Sequence, residues 1–219
     1  MPSRLRPTAS VAADAILVGD PGRALMLAQV LLEQPKMCNH ARGLWGYSGL
    51  TPAGDELTLQ STGMGGPSAA LVLADLAELG VHRAIRVGTC TALDPKLPAG
   101  QLLAIDEAYA WGGGGAGAAV LPDPRLAAAL RDELGDEALP ATVASLDTLH
   151  AGGGPAPVSA GDAADMQTAT LFGRAPQLGV ELAAVLIVTE TAAGDELGGE
   201  AGEAVAQRAG RAAAAVLSA

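Results

Sequence analysis

The sequence predicts an α/β fold in a single domain over residues 1–219, and three observations carry that reading. Short apolar runs bounded by Gly, Pro or Asp alternate with stretches of helical periodicity, which is how strands and crossover helices read in such folds. A chain of 219 residues is long enough for one substantial core. That core is aliphatic, because apolar residues make up 49% of the chain while Phe, Trp and Tyr number only one, two and two.

Taken in order, the AILV run at 15–18 is a strand that Gly19 and Asp20 interrupt, and residues 23–32 continue as a helix. A strand at 57–62 passes through glycines into a helix over 67–79, with Pro67 suited to a first turn and Gly80 just past the end. Strands follow at 84–88, 101–110, 142–146 and 182–189, and helices at 124–134, 163–178 and 200–217. The Ala-rich last helix carries Glu203, Gln207, Arg208 and Arg211, which makes it amphipathic rather than membrane-spanning. The glycine runs at 112–115 and 152–154 read as flexible loops, either plain surface connections or an active-site lid.

The charge balance excludes one class of partner. Thirteen Lys and Arg against 24 Asp and Glu leave a net charge of −11, whereas gripping a nucleic-acid backbone requires a basic surface. Any phosphate handled is therefore small and locally held. Cys38 and Cys90 form neither a disulfide framework nor a metal pattern, and neither CxxC nor HExxH occurs, so no metal or cofactor is expected. The opening MPSRLRPTAS followed by a short apolar run has no h-region of a signal peptide, and a cytoplasmic setting without membrane association is expected.

Four stretches hold candidate chemistry. Gly19-Asp20-Pro21-Gly22-Arg23 joins a strand to a helix, where backbone N–H groups favour an anion and an arginine adds permanent charge. Ser61-Thr62-Gly63-Met64-Gly65-Gly66-Pro67 is a second such junction, with neither the Walker A nor the GxGxxG spacing. Arg86-Val87-Gly88-Thr89-Cys90-Thr91 leaves a strand into hydroxyl-bearing residues, the place where open α/β sheets gather ligands. Strand alternation puts Arg86 and Thr89 on opposite faces, so they converge only if the strand bends or ends near Gly88. Asp165-Met166-Gln167-Thr168 lies near a helix start, where side chains can hydrogen-bond sugar hydroxyls or, for Met166, simply pack in the core.

Together VGDPGR, HARGLWGYSG, STGMGGPSAA, RVGTCTA and DMQTATLF, in this order, resemble the purine nucleoside and uridine phosphorylase family from about Ala13 onward. The resemblance implies a three-layer α/β/α sandwich around a mixed, partly barrel-like sheet, and a homodimer that can assemble into a hexamer. It implies a phosphate site of Gly19, Arg23, Arg86 and Thr89, completed by Arg42 from a neighbouring subunit. It also implies a ribose side formed by Met64, Met166 and Gln167, and a base side formed by Cys90, Thr91, Leu149 and His150.

Several positions depart from the family pattern. Gln167 stands where the family has a glutamate that binds ribose hydroxyls, Thr91 where it has glycine, Leu149 where it has an aromatic residue, and Glu190 where purine-specific members place a catalytic aspartate. GTCTALDP and MQTATLF are nearer the uridine branch. The implied activity is phosphate-dependent cleavage of a nucleoside, with inorganic phosphate as co-substrate and Arg23, Arg86 and Glu190 as catalytic candidates. A water-using nucleosidase and a non-catalytic nucleoside-binding protein are the alternatives. Cys90 lacks a neighbouring base in sequence and reads as packing rather than as a nucleophile.

Overall fold

The alternation read from the sequence organises the computed structural model, which describes residues 4–112, 115–147 and 161–219. β1 (Asp14–Val18) runs into α1 (Pro21–Leu31), whose start is fixed by Pro21 in the first turn and by Asp20, which accepts the Arg23 N–H at 2.8 Å. β2 (Glu33–Asn39), β3 (Gly46–Leu50) and β4 (Glu56–Ser61) form an antiparallel meander that leads to α2 (Gly65–Glu78). Next come β5 (Arg83–Ala92), β6 (Leu102–Gly112), β7 (Gly115–Val120), α3 (Pro124–Leu134) and β8 (Ala138–Leu146). β9 (Ala163–Asp165), α4 (Thr168–Leu178), β10 (Glu181–Glu190) and α5 (Gly199–Leu217) follow.

The ten strands form one mixed sheet in the order β10-β6-β8-β9-β5-β1-β4-β3-β2, with β7 attached to β6. Because β10 also pairs in parallel with β5, strands β5, β10, β6, β8 and β9 close into a five-strand barrel, and β1, β4, β3 and β2 extend from it as an open wing. Strand alternation divides the core between the two faces. Ile16, Ile85, Val87 and Val185 pack beneath α1, α3 and α5, while Leu17, Ala84, Leu186 and Val188 pack beneath α2 and α4. Helix, sheet and helix thus form the expected three layers. On the first face α5 crosses α1 closely at Gly210, where a Cβ would meet Leu27 Cδ2 at 2.7 Å.

Strands β2, β3, β5, β7 and β9 differ from the sequence reading. β2 holds Pro35 and Lys36 and lies at the sheet edge, where a missing N–H costs no ladder bond. β3 is rich in glycine, and β7, GAGAAV, begins inside the glycine run read as a loop, with Gly112 and Gly115 paired in register. β9 occupies the first residues of the expected helix at 163–178. Pairing of Ala163 and Ala164 with β5 and β8 holds them extended, and α4 begins only at Thr168. β5 runs on to Ala92 rather than ending at Gly88. The glycine run at 152–154 lies outside the described residues.

Candidate functional site

The site arises from a mismatch in strand length. β1 pairs with β5 only as far as Leu17 opposite Arg86, then turns away into α1, and β9 takes up that edge of β5 only at Thr91. Residues 87–90 of β5 therefore have no ladder partner on this side, which leaves a notch where β1 and β4 end. Arg86 and Thr89 do point to opposite faces, since β5 continues through Gly88. Both nevertheless line the cavity at this unpaired edge.

A cavity of about 350 Å³ fills the notch, lined by Gly19, Asp20, Arg23, Gly63, Met64, Gly65, Arg86, Gly88, Thr89, Met166 and Gln167 among others. The structure thus brings together seven of the residues singled out in sequence: Gly19, Arg23, Met64, Arg86, Thr89, Met166 and Gln167. A second cavity of about 430 Å³ adjoins it, sharing Asp20, Arg23 and Thr89 and extending to Thr189 and the first turns of α5.

Arg86 is 4% exposed and held on three sides. Its Nε donates to Thr168 Oγ1 at 3.1 Å, Nη1 to Gln167 Oε1 at 2.7 Å and Nη2 to Asp165 Oδ2 at 3.0 Å. Asp165 is itself fully buried, and it also accepts from Ser145 Oγ, from the Thr168 N–H at 3.0 Å and from Thr168 Oγ1 at 2.6 Å. This carboxylate both caps the start of α4 and locks the guanidinium plane. Gly88 makes room for that plane, since a Cβ there would stand 2.6 Å from Arg86 Cζ and Nη2. Sequence reasoning named Asp165 only as part of a motif. The signal for its role was the Asp-x-x-Thr spacing at a helix start.

Gln167 is 3% exposed. Its Oε1 accepts from Arg86 Nη1 and lies 3.0 Å from Thr62 Oγ1, while its Nε2 donates to Gly63 O at 2.7 Å and Gly65 O at 3.3 Å. Both glycines have positive φ, +72° and +80°, so the loop folds toward the amide in a way other residues resist. Gln167 lines the cavity, and its amide hydrogen-bonds within the protein. Met64, by contrast, is 82% exposed at the mouth, and Met166 is half-buried in the wall.

Arg23 is half-buried and makes no ion pair among the described residues. Burial lowers its guanidinium pKa, Asp20 partly restores it, and the nearby charge of Arg86 lowers it again. A guanidinium whose pKa is lowered by burial and by a second cation across the cavity favours an anion between them. Arg42 lies apart, exposed on a 3₁₀ turn with left-handed backbone (φ +60°, ψ +19°), and does not line the cavity of its own chain.

The base-side candidates are less gathered. Cys90 is 2% exposed, its Sγ donates to Ile187 O at 3.5 Å, and it packs in the core beneath α2 and α4 rather than lining the cavity. Burial pushes its thiol far above the ordinary range, which removes it as a nucleophile. Thr91 Oγ1 donates to Glu190 Oε2 at 3.2 Å across the β5–β10 ladder, beyond the cavity lining. Leu149 and His150 lie outside the described residues. Among the described residues no cluster of His, Cys, Asp and Glu is placed to hold a metal, and no helix is long and apolar enough to cross a membrane.

Residues 14–219 match the model of the phosphorylase superfamily, the span that contains every element of the notch. The chain belongs to this superfamily. Over 83 residues it is 46% identical to a DeoD-type purine nucleoside phosphorylase of Oceanobacillus iheyensis, a match that covers 37% of the chain and 35% of that relative. A second DeoD-type purine nucleoside phosphorylase, from Caldanaerobacter subterraneus subsp. tengcongensis, is 40% identical over 88 residues, covering 40% of the chain and 38% of the relative. The chain thus matches little more than a third of the length of these curated relatives.

The superfamily fold is matched over nearly the whole chain. A purine nucleoside phosphorylase from Toxoplasma gondii in complex with immucillin-H superposes with TM-score 0.83 at 20% identity, covering 95% of this chain and 91% of the other. A uridine phosphorylase structure from the oomycete Phytophthora capsici gives TM-score 0.84 at 19% identity, covering 97% and 92%. At these identities the likeness establishes the sandwich and its barrel.

Proposed function

We propose that the chain is a nucleoside phosphorylase, which uses inorganic phosphate to split an N-glycosidic bond into a free base and a (deoxy)ribose 1-phosphate. The observation that supports this most directly is the pairing of Arg23 and Arg86 on one cavity with Gly19 and Thr89. As the bond lengthens, positive charge develops on the sugar and negative charge on the base. A phosphate held beneath the anomeric carbon serves as nucleophile and as counter-charge. Arg86 enters the reaction already oriented by Asp165, so little reorganisation accompanies phosphate binding.

In this reading Arg42 of a neighbouring copy completes the phosphate cradle, which accounts for an exposed arginine on left-handed backbone that has no ion pair among the described residues. A homodimer with a shared site follows, and a hexamer is compatible with it. Glu190, steadied by Thr91, is the group we assign to the departing base. The uridine-like GTCTALDP segment and the purine names of the curated relatives pull the base assignment in opposite directions. The sequence identity to the curated relatives favours a purine.

A panel of purine and pyrimidine nucleosides assayed with and without phosphate tests the proposal. Base release that depends on phosphate is expected. Equal release without phosphate assigns the chain to nucleoside hydrolysis, and nucleoside binding with no base released assigns it to a non-catalytic binding role.

A further inference from the structure

Resting on the reading that Arg42 completes a neighbour's phosphate cradle, the structure carries an inference about what aims that arginine. Arg42 occupies the tight turn Ala41–Gly43 between β2 and β3, which is closed by hydrogen bonds from the Gly43 N–H to His40 O at 3.3 Å and from the Leu44 N–H to Ala41 O at 3.1 Å. Two successive residues of the turn are left-handed, Arg42 at φ +60° and Gly43 at φ +72°. Glycine adopts that region freely, but an arginine holds it only where its surroundings over-determine it. The determinants lie beneath the turn, in two amides that are each 1% exposed. Asn39 Nδ2 and Gln60 Nε2, the latter at 3.0 Å, both donate to Leu44 O, at the point where the chain leaves the turn. Each amide is held by a further bond: Asn39 Oδ1 accepts the Arg6 N–H at 2.8 Å, and Gln60 Nε2 also donates to Ser61 O at 2.8 Å. Gly46, opposite Gln60 in the β3–β4 ladder, leaves the room this amide needs, since a Cβ there would collide with Gln60 Oε1.

We propose that Asn39 and Gln60 are positioning residues for phosphate, acting through Arg42 on the cavity of the neighbouring copy. The physical basis is preorganisation. An arginine on a free loop loses the freedom of the loop as well as its own when it reaches an anion, whereas a turn fixed in advance leaves only the side chain to be ordered. Two neutral donors fill both lone pairs of one carbonyl and so anchor the turn without adding a charge that competes for the anion. Neither amide lines the cavity of its own chain. Leu44 does approach the glycine loop of that cavity, since a Cβ on Gly63 would stand 3.2 Å from Leu44 Cδ2, and this offers a second route that the test must separate.

Inorganic phosphate is the probe. Gln60→Met is expected to raise the KM for phosphate about tenfold, and to weaken calorimetric phosphate binding equally, which is the scale of ordering one mobile side chain or loop. The kcat at saturating phosphate should stay within about twofold, whereas a loss of folded protein would lower kcat and leave KM unchanged. Gly43→Ala strains the exposed turn without touching the core and is expected to raise the KM in the same way. In a double-mutant cycle neither change should add to the phosphate defect of Arg42→Ala. Additive losses would place the effect in the chain's own cavity and overturn the proposal, as would a phosphate KM unchanged from wild type in either folded variant. An Arg42→Ala variant that binds phosphate as wild type does refutes the shared cradle and this proposal with it, while a defect in Arg42→Ala alone refutes only the positioning role. If no nucleoside releases base, the phosphorylase reading fails separately and the calorimetric affinities decide: the same non-additive pattern supports the proposal, and its absence defeats it.

Discussion

The two arginines that face the cavity are built in opposite ways. Arg86 is 4% exposed and pinned by Asp165, Gln167 and Thr168, whereas Arg23 is half-buried on the first turn of α1 and without an ion pair among the described residues. The first is part of the core and would hold its position with or without ligand. The second has an electrostatic need that a bound anion would meet. Stability and anion affinity should therefore separate between them, and substitutions can break that division or sharpen it.

The largest effect is expected at Arg86. Arg86→Met leaves Asp165, fully buried, without its cation, and breaking such a pair costs about 3–5 kcal/mol. Urea unfolding measures this. A loss below about 1 kcal/mol would mean that Ser145 and Thr168 alone satisfy the carboxylate and that Arg86 is no more structural than Arg23. Gly88→Ala comes next, because the added methyl meets Arg86 Cζ and Nη2 and Leu186 Cδ2, each at 2.6 Å. Overpacking of this kind costs about 1–3 kcal/mol. Since what must move is the guanidinium, the KM for phosphate should rise along with the loss of stability.

Arg23→Ala reverses the balance. A hydrogen bond to a charged group is worth about 1.5–3 kcal/mol, which converts to a fall of about 10- to 100-fold in kcat/KM for phosphate. Stability should stay within about 0.5 kcal/mol of wild type, because no buried partner is stranded. Steady-state kinetics against phosphate and unfolding of the same preparation read both quantities. A fall in stability comparable to that of Arg86→Met would erase the distinction.

The same division explains what sequence reasoning reached. Local chemistry was readable: Pro21 and Asp20 announce α1, and VGDPGR and RVGT place Arg23 and Arg86 at strand ends. The sheet edge was not, because β2 and β3 are specified by their neighbours and carry proline, lysine and glycine in place of an alternating apolar pattern. The convergence of Arg86 and Thr89 depends on where β1 stops pairing with β5, a fact of topology that no residue within 86–91 encodes. The role of Gln167 depends likewise on two carbonyls about 100 positions away in sequence.

The smallest effect lies on the same face of β5 as Arg86, at Cys90. Burial raises its thiol pKa and outweighs the lowering by the nearby Arg86 charge, so in the folded protein the thiol keeps its proton well past the pH at which a free one loses it. The sign follows from linkage: the folded pKa lies above the unfolded one, so the contribution to stability is complete below about pH 8.5 and is lost as pH rises beyond it. Between pH 8.5 and 9.5 this amounts to about 1 kcal/mol for one thiol. Urea unfolding of wild type and Cys90→Ala across pH 7–10 should show a steeper alkaline decline in the wild type, with native Cys90 unreactive to iodoacetamide at pH 8. Parallel declines would show that Arg86 compensates the thiolate more fully than its three internal hydrogen bonds allow, making that arginine more available to an anion than its pinned geometry implies.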